Sequence, residues 1–502
     1  MGEVKVKVAK RGSFQVELKI DYPIARKKKI ETNTYDVTAY FFVPSQLGIN
    51  SSTYSAEDFF DDYFSYTRFT ILDFSLDDLL NHHIKTNPLW RLESLIDGYG
   101  EGKIGNKESI IYELKTFCNI FRDRMEILKS EFRKLKHKID EDDYHPVEIF
   151  VSYREKIEAV FGYFRKYRSF FYGEAADEEL LWSYRWVDEG VSLDFENLLW
   201  YVYDTALIGH EEELAALCTE AIKKNISYRK EQEYLHYTYK YNNKKNEAFI
   251  FREHSIRKWS ELNLHMTRTN SRNPKQISFV LISVSTGIAM FIFLLLSMLI
   301  VNKFSNQPIL WLLSGVLAYV LRDQIKDNLK EYSKKISPVF TADREQHLID
   351  PKSRKRSGFT REWVSFVSFK KIPAAIRDLR ERGKNKLDKY LLSEDILCFQ
   401  KKTSFKSRRL TQNHPRLPSV TDILRFDLRR CFYKMDSAVE ELFVLNDEDR
   451  LESVPAGRVY HIGLILHINE KASGMKAVGC RDERFRIVAS REGIVRIERV
   501  RS

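Results

Sequence analysis

His210 stands before Glu211, Glu212 and Glu213, an opening that could begin a zinc-hydrolase helix. That chemistry needs a second His four residues on, and position 214 is Leu. The group therefore reads as the acidic first turn of a helix, where carboxylates complement the macrodipole. His82 and His83 adjoin Asp77 and Asp78, a metal-site composition, but adjacent side chains on a helix diverge. His461 and His467 share one strand face roughly 20 Å apart, too far to hold one ion between them. Asp58, Asp61 and Asp62 sit on the polar face of an amphipathic segment and read as solvated. The chain has neither a GxxxxGK[ST] nor a GxGxxG loop, so no phosphate cradle is indicated. No catalytic residue, cofactor or metal site is assigned from sequence, and the balance leans away from an enzyme.

The basic residues are more informative. The chain carries a net charge of +11. Residues 322–502 hold 40 Lys and Arg against 26 Asp and Glu, so the whole basic excess lies there. The densest stretch, 352–409, includes Lys352, Arg354, Lys355, Arg356, Lys370, Lys371, Lys401, Lys402, Arg408 and Arg409. Eight of these (Lys352, Arg354, Lys355, Arg356, Lys401, Lys402, Arg408 and Arg409) are the expected contacts to an anionic surface, with anionic lipid the expected partner. Phe405, Lys406 and Arg408, then Phe432, Tyr433 and Lys434, interleave rings and cations as single-strand binders do. No nucleic-acid module accompanies them, and nucleic acid is not the expected partner.

Five Cys, at 118, 218, 398, 431 and 480, form no CxxC pair. Buried thiols in a reducing compartment fit that count. The N-terminal MGEVKVKVAKRGSF has no apolar core of a signal peptide, and Val6 breaks the myristoylation pattern.

The elements that must position these residues begin with two apolar runs. Ile277 to Val301 is 25 residues without a charge, and Pro308 to Leu321 is 14 more after a connector of six. Together they predict a two-helix transmembrane hairpin over 277–321. Basic residues flank both outer sides, which predicts a multi-pass protein of the cytoplasmic membrane with both termini inside. Ser283 with Gly287, and Ser314 with Ala318, are four apart and predict close helix packing, within the hairpin or between copies. Beyond Leu321 the helix is expected to continue unbroken as a stalk over 322–337. Leu321, Ile325 and Leu329 form its apolar stripe, and Asp323–Lys326, Asp327–Lys330 and Glu331–Lys334 its charge pairs.

Residues 1–70 read as a small β-rich domain. Val4, Val6 and Val8 pair with Phe14, Val16, Leu18 and Ile20 across a turn, and a third strand runs from Tyr35 to Val43. Ser55 with Asp58 forms a capping box. Residues 71–270 read as a helical bundle. Its strongest signal is a 3-4 spacing of Ile111, Leu114, Cys118, Phe121, Met125, Leu128, Phe132, Leu135 and Ile139. The spacing resumes with Phe150, Tyr153, Ile157, Val160, Phe164, Tyr167 and Phe171. An antiparallel, coiled-coil-like hairpin over 107–172 follows. Residues 338–502 read as a basic α+β domain with strands at 424–428, 459–468 and 484–500. The expected class is an α+β membrane protein, acting as a membrane-anchored scaffold or sensor. The rivals are a membrane-perturbing effector assembled through the hairpin, and an enzyme with a dispersed site.

Overall fold

The computed structural model describes residues 4–500 apart from 25–31, 72–73, 100–105, 137–144, 175, 239–243, 271–273, 305–307, 341, 383–392, 415, 417, 446, 448–449 and 473–478. Some helical side chains, chiefly within 274–340, also lie outside the description. The chain divides into two compact units, one of Met1–Thr67, Met266–His414 and Ser419–Ser502, the other of Arg68–His265 with Pro415–Pro418.

The first unit is built on two antiparallel sheets. Its strands are β1 (Lys5–Arg11), β2 (Gln15–Pro23), β3 (Asn33–Pro44), β4 (Tyr63–Phe69), β5 (Thr267–Asn270), β6 (Arg344–Ile349), β7 (Arg356–Phe366), β8 (Glu394–Phe405), β9 (Ser419–Asp427), β10 (Val439–Leu445), β11 (Leu451–Gly457), β12 (Tyr460–Ala472), β13 (Gly479–Ser490) and β14 (Gly493–Arg499). One sheet has the order β1-β2-β9-β4, and the larger has the order β14-β13-β12-β3-β8-β7-β6-β5. The hairpin β10–β11 stands apart as a two-stranded ribbon. The first three strands do not make a sheet of their own, because β2 pairs with β9 and β3 lies between β8 and β12. Strand alternation explains the closure. Each strand turns one row of large side chains inward, and the two sheets interlock through Tyr22 stacked on Tyr35 at 4.5 Å and Phe41 against Phe426 at 5.1 Å.

The helices, in chain order, open with α1 (Ala56–Asp61), which belongs to the first unit. Ser55 and Asp58 form its capping box as expected. The second unit holds α2 (Leu76–Leu80), α3 (Pro88–Tyr99), α4 (Asn106–Lys136), α5 (Pro146–Arg165), α6 (Arg168–Tyr172), α7 (Glu178–Ile208), α8 (Glu212–Glu231) and α9 (Lys244–Glu261). α4 and α5 run antiparallel along an aromatic seam. Phe117 meets Phe164 at 5.0 Å, Phe121 meets Phe161 at 5.4 Å and Phe132 meets Phe150 at 6.5 Å. The Leu135 side chain and Ile139 lie outside the described residues. α7 buries three carboxylates, and each has an arginine: Asp188 with Arg165, Glu189 with Arg252 and Glu196 with Arg229.

The remaining helices belong to the first unit: α10 (Pro274–Phe304), α11 (Pro308–Phe340), α12 (Ala374–Glu381), α13 (Ser407–Asn413) and α14 (Arg429–Phe432). α11 runs unbroken through Leu321 into the charged segment; the side chains of 329–330 and 332–340, with much of the expected stripe and charge pairs, lie outside the described residues. The transmembrane assignment is corrected. Among the described residues no helix is long and apolar enough to cross a membrane. In α11 the apolar run ends at Arg322, roughly 21 Å from Pro308 against a hydrocarbon core of ~30 Å. In α10 the described side chains fall between Val280 and Leu299 only. The transmembrane hairpin over 277–321, the multi-pass localisation and the membrane-protein class fall with that finding. So do the anchored scaffold and the bilayer-perturbing effector. α10 and α11 form a helical hairpin with exposed apolar side chains, such as Phe291 and Leu317.

Candidate anion-binding surface

Two basic segments meet at one end of the large sheet. The turn between β6 and β7 carries Lys352, Arg354, Lys355 and Arg356, all exposed. α13 brings Arg408 and Arg409 beside it. The Arg409 guanidinium donates to the Arg356 carbonyl at 2.9 Å, and Lys406 N–H donates to the Ser357 carbonyl at 2.8 Å.

A buried carboxylate holds the two together. Asp350 and His414 are both shielded from solvent, with Nε2 and Oδ1 2.6 Å apart. Asp350 also accepts from Lys352 N–H at 3.0 Å, Ser353 Oγ at 2.7 Å and Asn413 Nδ2 at 2.7 Å. The first two fix the turn, and the last, with His414, fixes the end of α13. Burial alone would raise this carboxyl's pKa. The hydrogen bonds from His414, Ser353 and Asn413 overcome that and hold it well below the usual carboxylate range. Arg354 takes a positive φ of 52°, which sharpens the turn. Among the described residues no carboxylate stands within ion-pair distance of Arg354, Lys355, Arg356, Arg408 or Arg409.

Two of the expected surface residues lie elsewhere. Lys401 is fully buried between the sheets, with Nζ 2.7 Å from Asp422 and 3.2 Å from Glu362. Its charge is neutralised inside the fold. Lys402 is half-buried on β8, opposite Asp36 and Arg361. The patch is also remote from the helical hairpin. β5 leads into α10 at its Asn270 end and β6 leaves α11 at Arg344, whereas the basic turn lies beyond Ile349, one strand length (about 17–20 Å) away. Three of the four small-residue positions are among the described residues. A side chain at Gly287 would meet nothing within 4 Å, and among the described side chains of α10 the buried one is Ala289. Ser283 is exposed, Ser314 half-buried, and the Ala318 side chain lies outside the described residues.

The interleaved aromatics turn inward. Phe405 and Phe432 are buried, and only Tyr433 is exposed, at 79 %. No ring lies within 350–357 or 406–413.

A second electropositive feature is a cleft of about 370 Å³ lined by Arg380, Arg458, Arg484, Arg486 and His461 together with Glu394 and Asp436. Arg380 pairs with Glu394 and Arg458 with Asp436. Arg484 donates to the Leu379 and Arg382 carbonyls at the C-terminal end of α12. Burial, together with the like charges of Arg380 and Arg486, lowers its pKa. Gly463 makes the room for this arrangement, since a Cβ there would lie 3.1 Å from the Arg380 guanidinium carbon.

The other sequence candidates are structural. Asp58 and Asp62 pair with Arg430, and Asp78 caps α2. His82 packs tilted against Tyr163, with Nδ1 3.0 Å from its hydroxyl, and Glu212 and Glu213 lie in the first turn of α8. Sequence reasoning missed Asp350 and His414. Asp350-Pro351 is a turn signal in the sequence, and nothing in it points to His414. Among the described residues, one group could hold a metal ion: His467, Cys480 and Asp482, with donor atoms within 4.8 Å of one another. No family model, curated protein or solved structure matches this chain.

Proposed function

We propose that the first unit is a binding module that docks, through Arg354, Lys355, Arg356, Arg408 and Arg409, onto an anionic lipid surface. The observation that carries this reading is the buried Asp350. It anchors two segments far apart in sequence so that their cations share one face. A merely solvated basic loop needs no such anchor. The lack of rings in the patch favours a phosphate-dense surface over stacked bases. Each Lys or Arg near an anionic leaflet contributes about 1 kcal/mol, so five together suffice for reversible docking.

The test is co-sedimentation of the full chain with vesicles. The apolar hairpin could give some binding to any vesicle, so the readout is the excess on anionic over neutral lipid. That excess should shrink as salt rises, since the Debye length is only about 8 Å at physiological ionic strength. It should fall at least tenfold when Arg354, Lys355, Arg356 and Arg408 are all replaced by Gln. Equal binding to both vesicle types, or an excess untouched by the substitutions, overturns the proposal. So does tighter binding to a single-stranded nucleic acid than to anionic vesicles.

A further inference from the structure

β12 and β13 pair so that His467 lies opposite Asp482 and Asn469 opposite Cys480. Residues two apart on a strand share a face. The four side chains therefore form one compact group beyond the end of β14, whose pairing with β13 stops at Phe485. His467 Nδ1 lies 2.6 Å from Asp482 Oδ1 and 3.7 Å from Cys480 Sγ. Asn469 Nδ2 meets the other ring nitrogen, Nε2, at 2.9 Å.

We propose that His467, Cys480 and Asp482 form a site for one Zn²⁺ ion per chain, with Asn469 as the positioning residue for the imidazole. The separations suit that ion. Ligand bonds of about 2.0 Å to nitrogen and 2.3 Å to sulfur place tetrahedral N and S donors roughly 3.5 Å apart, close to the 3.7 Å observed here. The Asp482–His467 contact is a hydrogen bond that must open by roughly 0.7 Å, to the ~3.3 Å of two metal-bound donors. Asp482 is exposed and free to make that movement. A thiolate, a carboxylate and a neutral imidazole together carry two negative charges, which match a divalent cation. Zn²⁺ commonly takes sulfur, nitrogen and oxygen donors in one site. Three protein ligands leave the fourth position to solvent.

The rival chemistry is a Cys–His–Asp proton relay, and the geometry argues against it. A relay places the thiol on one ring nitrogen and the carboxylate on the other. Here both converge on Nδ1, and Nε2 belongs to Asn469. As placed, the Asn469 amide nitrogen faces Nε2. Metal binding at Nδ1 requires the amide to turn so that its oxygen accepts from Nε2–H, which then fixes the tautomer whose Nδ1 lone pair faces the other two donors. Burial and the Asp482 charge raise the Cys480 thiol's pKa, the reverse of an activated nucleophile. Metal binding would displace that thiol proton.

The experiment titrates the full chain with Co²⁺ and then displaces it with Zn²⁺. The expected result is a thiolate-to-cobalt charge-transfer band that saturates at one equivalent and is abolished by Zn²⁺. The band should vanish in Cys480→Ser, and Co²⁺ affinity should fall at least tenfold in His467→Gln and Asp482→Asn. Asn469→Ala should weaken binding by about 10–100-fold, the usual cost of losing an outer-shell partner, while metal-free thermal melting stays unchanged. A band that persists in Cys480→Ser, saturation at other than one equivalent, or no band at all overturns the site.

Discussion

Lys401 Nζ lies 2.7 Å from Asp422 Oδ2, and neither side chain is exposed. The lysine comes from β8 and the aspartate from β9, so the ion pair bridges the two sheets. Glu362 joins at 3.2 Å from the lysine, and Arg268 reaches the other oxygen of Asp422 at 3.2 Å. Tyr63 donates to Glu362 at 2.8 Å, and Thr67 to Asp422 at 3.1 Å. Two cations thus meet two carboxylates in the interior, and the group is neutral as a set.

Removing one member strands the rest. Lys401→Met keeps the length and apolar stem but leaves Glu362 and Asp422 short of a cation. Breaking a buried pair from one side typically costs about 3–5 kcal/mol. Chemical denaturation of the full chain should show a loss of that order in the transition that reports the β unit. A Lys401→Met protein as stable as the parent would show that the lysine does not help hold the two sheets together.

Acid should weaken the basic turn. The folded pKa of Asp350 is depressed, so its ionised form contributes stability above the unfolded value of about 3.9. That contribution is lost as pH falls below roughly 4 towards the lower folded value. Stability measured from pH 6 to pH 3 should fall in the parent and fall less steeply in Asp350→Asn, which starts lower. The same variant should lose the vesicle excess, because the turn and α13 are no longer fixed. Parallel pH profiles would remove Asp350 from the account.

The aromatic seam of the second unit gives a third test. Phe121 and Phe164 are both fully buried. Each should cost about 3–5 kcal/mol on truncation to Ala, the usual price for a core Phe. The two rings share a cluster through Phe117 and Phe161, so the double variant should cost less than the sum. Unchanged melting of either single variant would contradict the packing.

Periodicity made some of this legible and topology hid the rest. Alternation alone set the row of Val6 and Val8 against the row of Leu18 and Ile20; the individual register, Val6 with Ile20 and Val8 with Leu18, came from the structure. The 3-4 spacing likewise found the faces of α4 and α5 that meet. Alternation also held an unused clue. Phe399, Lys401, Thr403 and Phe405 are all inward positions of β8. A lysine in that row requires buried carboxylates from other strands. What sequence could not supply is long-range register. Asp350 and His414 are 64 residues apart, and Asp482 meets His467 across a β-hairpin whose offset decides whether the two share a face. The apolar runs at 277–301 and 308–321 misled in another way. Hydropathy reports a preference for an apolar environment, and the helices it located do form, but it does not by itself show a span.

The cysteines give the last test, which needs no variant. Cys118, Cys218, Cys398 and Cys431 are buried, and burial pushes their thiols up to about 11, 12, 11 and 12 respectively. Cys480 is the exposed one. Alkylation requires both access and thiolate, and the four buried thiols lack both at neutral pH. Native protein at pH 8 should therefore take up one alkyl group by intact mass, at Cys480, and five after unfolding in guanidinium. Rapid modification of a second cysteine in the native state would show that one of the four cores opens readily. Cys480 that stays unmodified even as pH is raised would show that it is covered in solution.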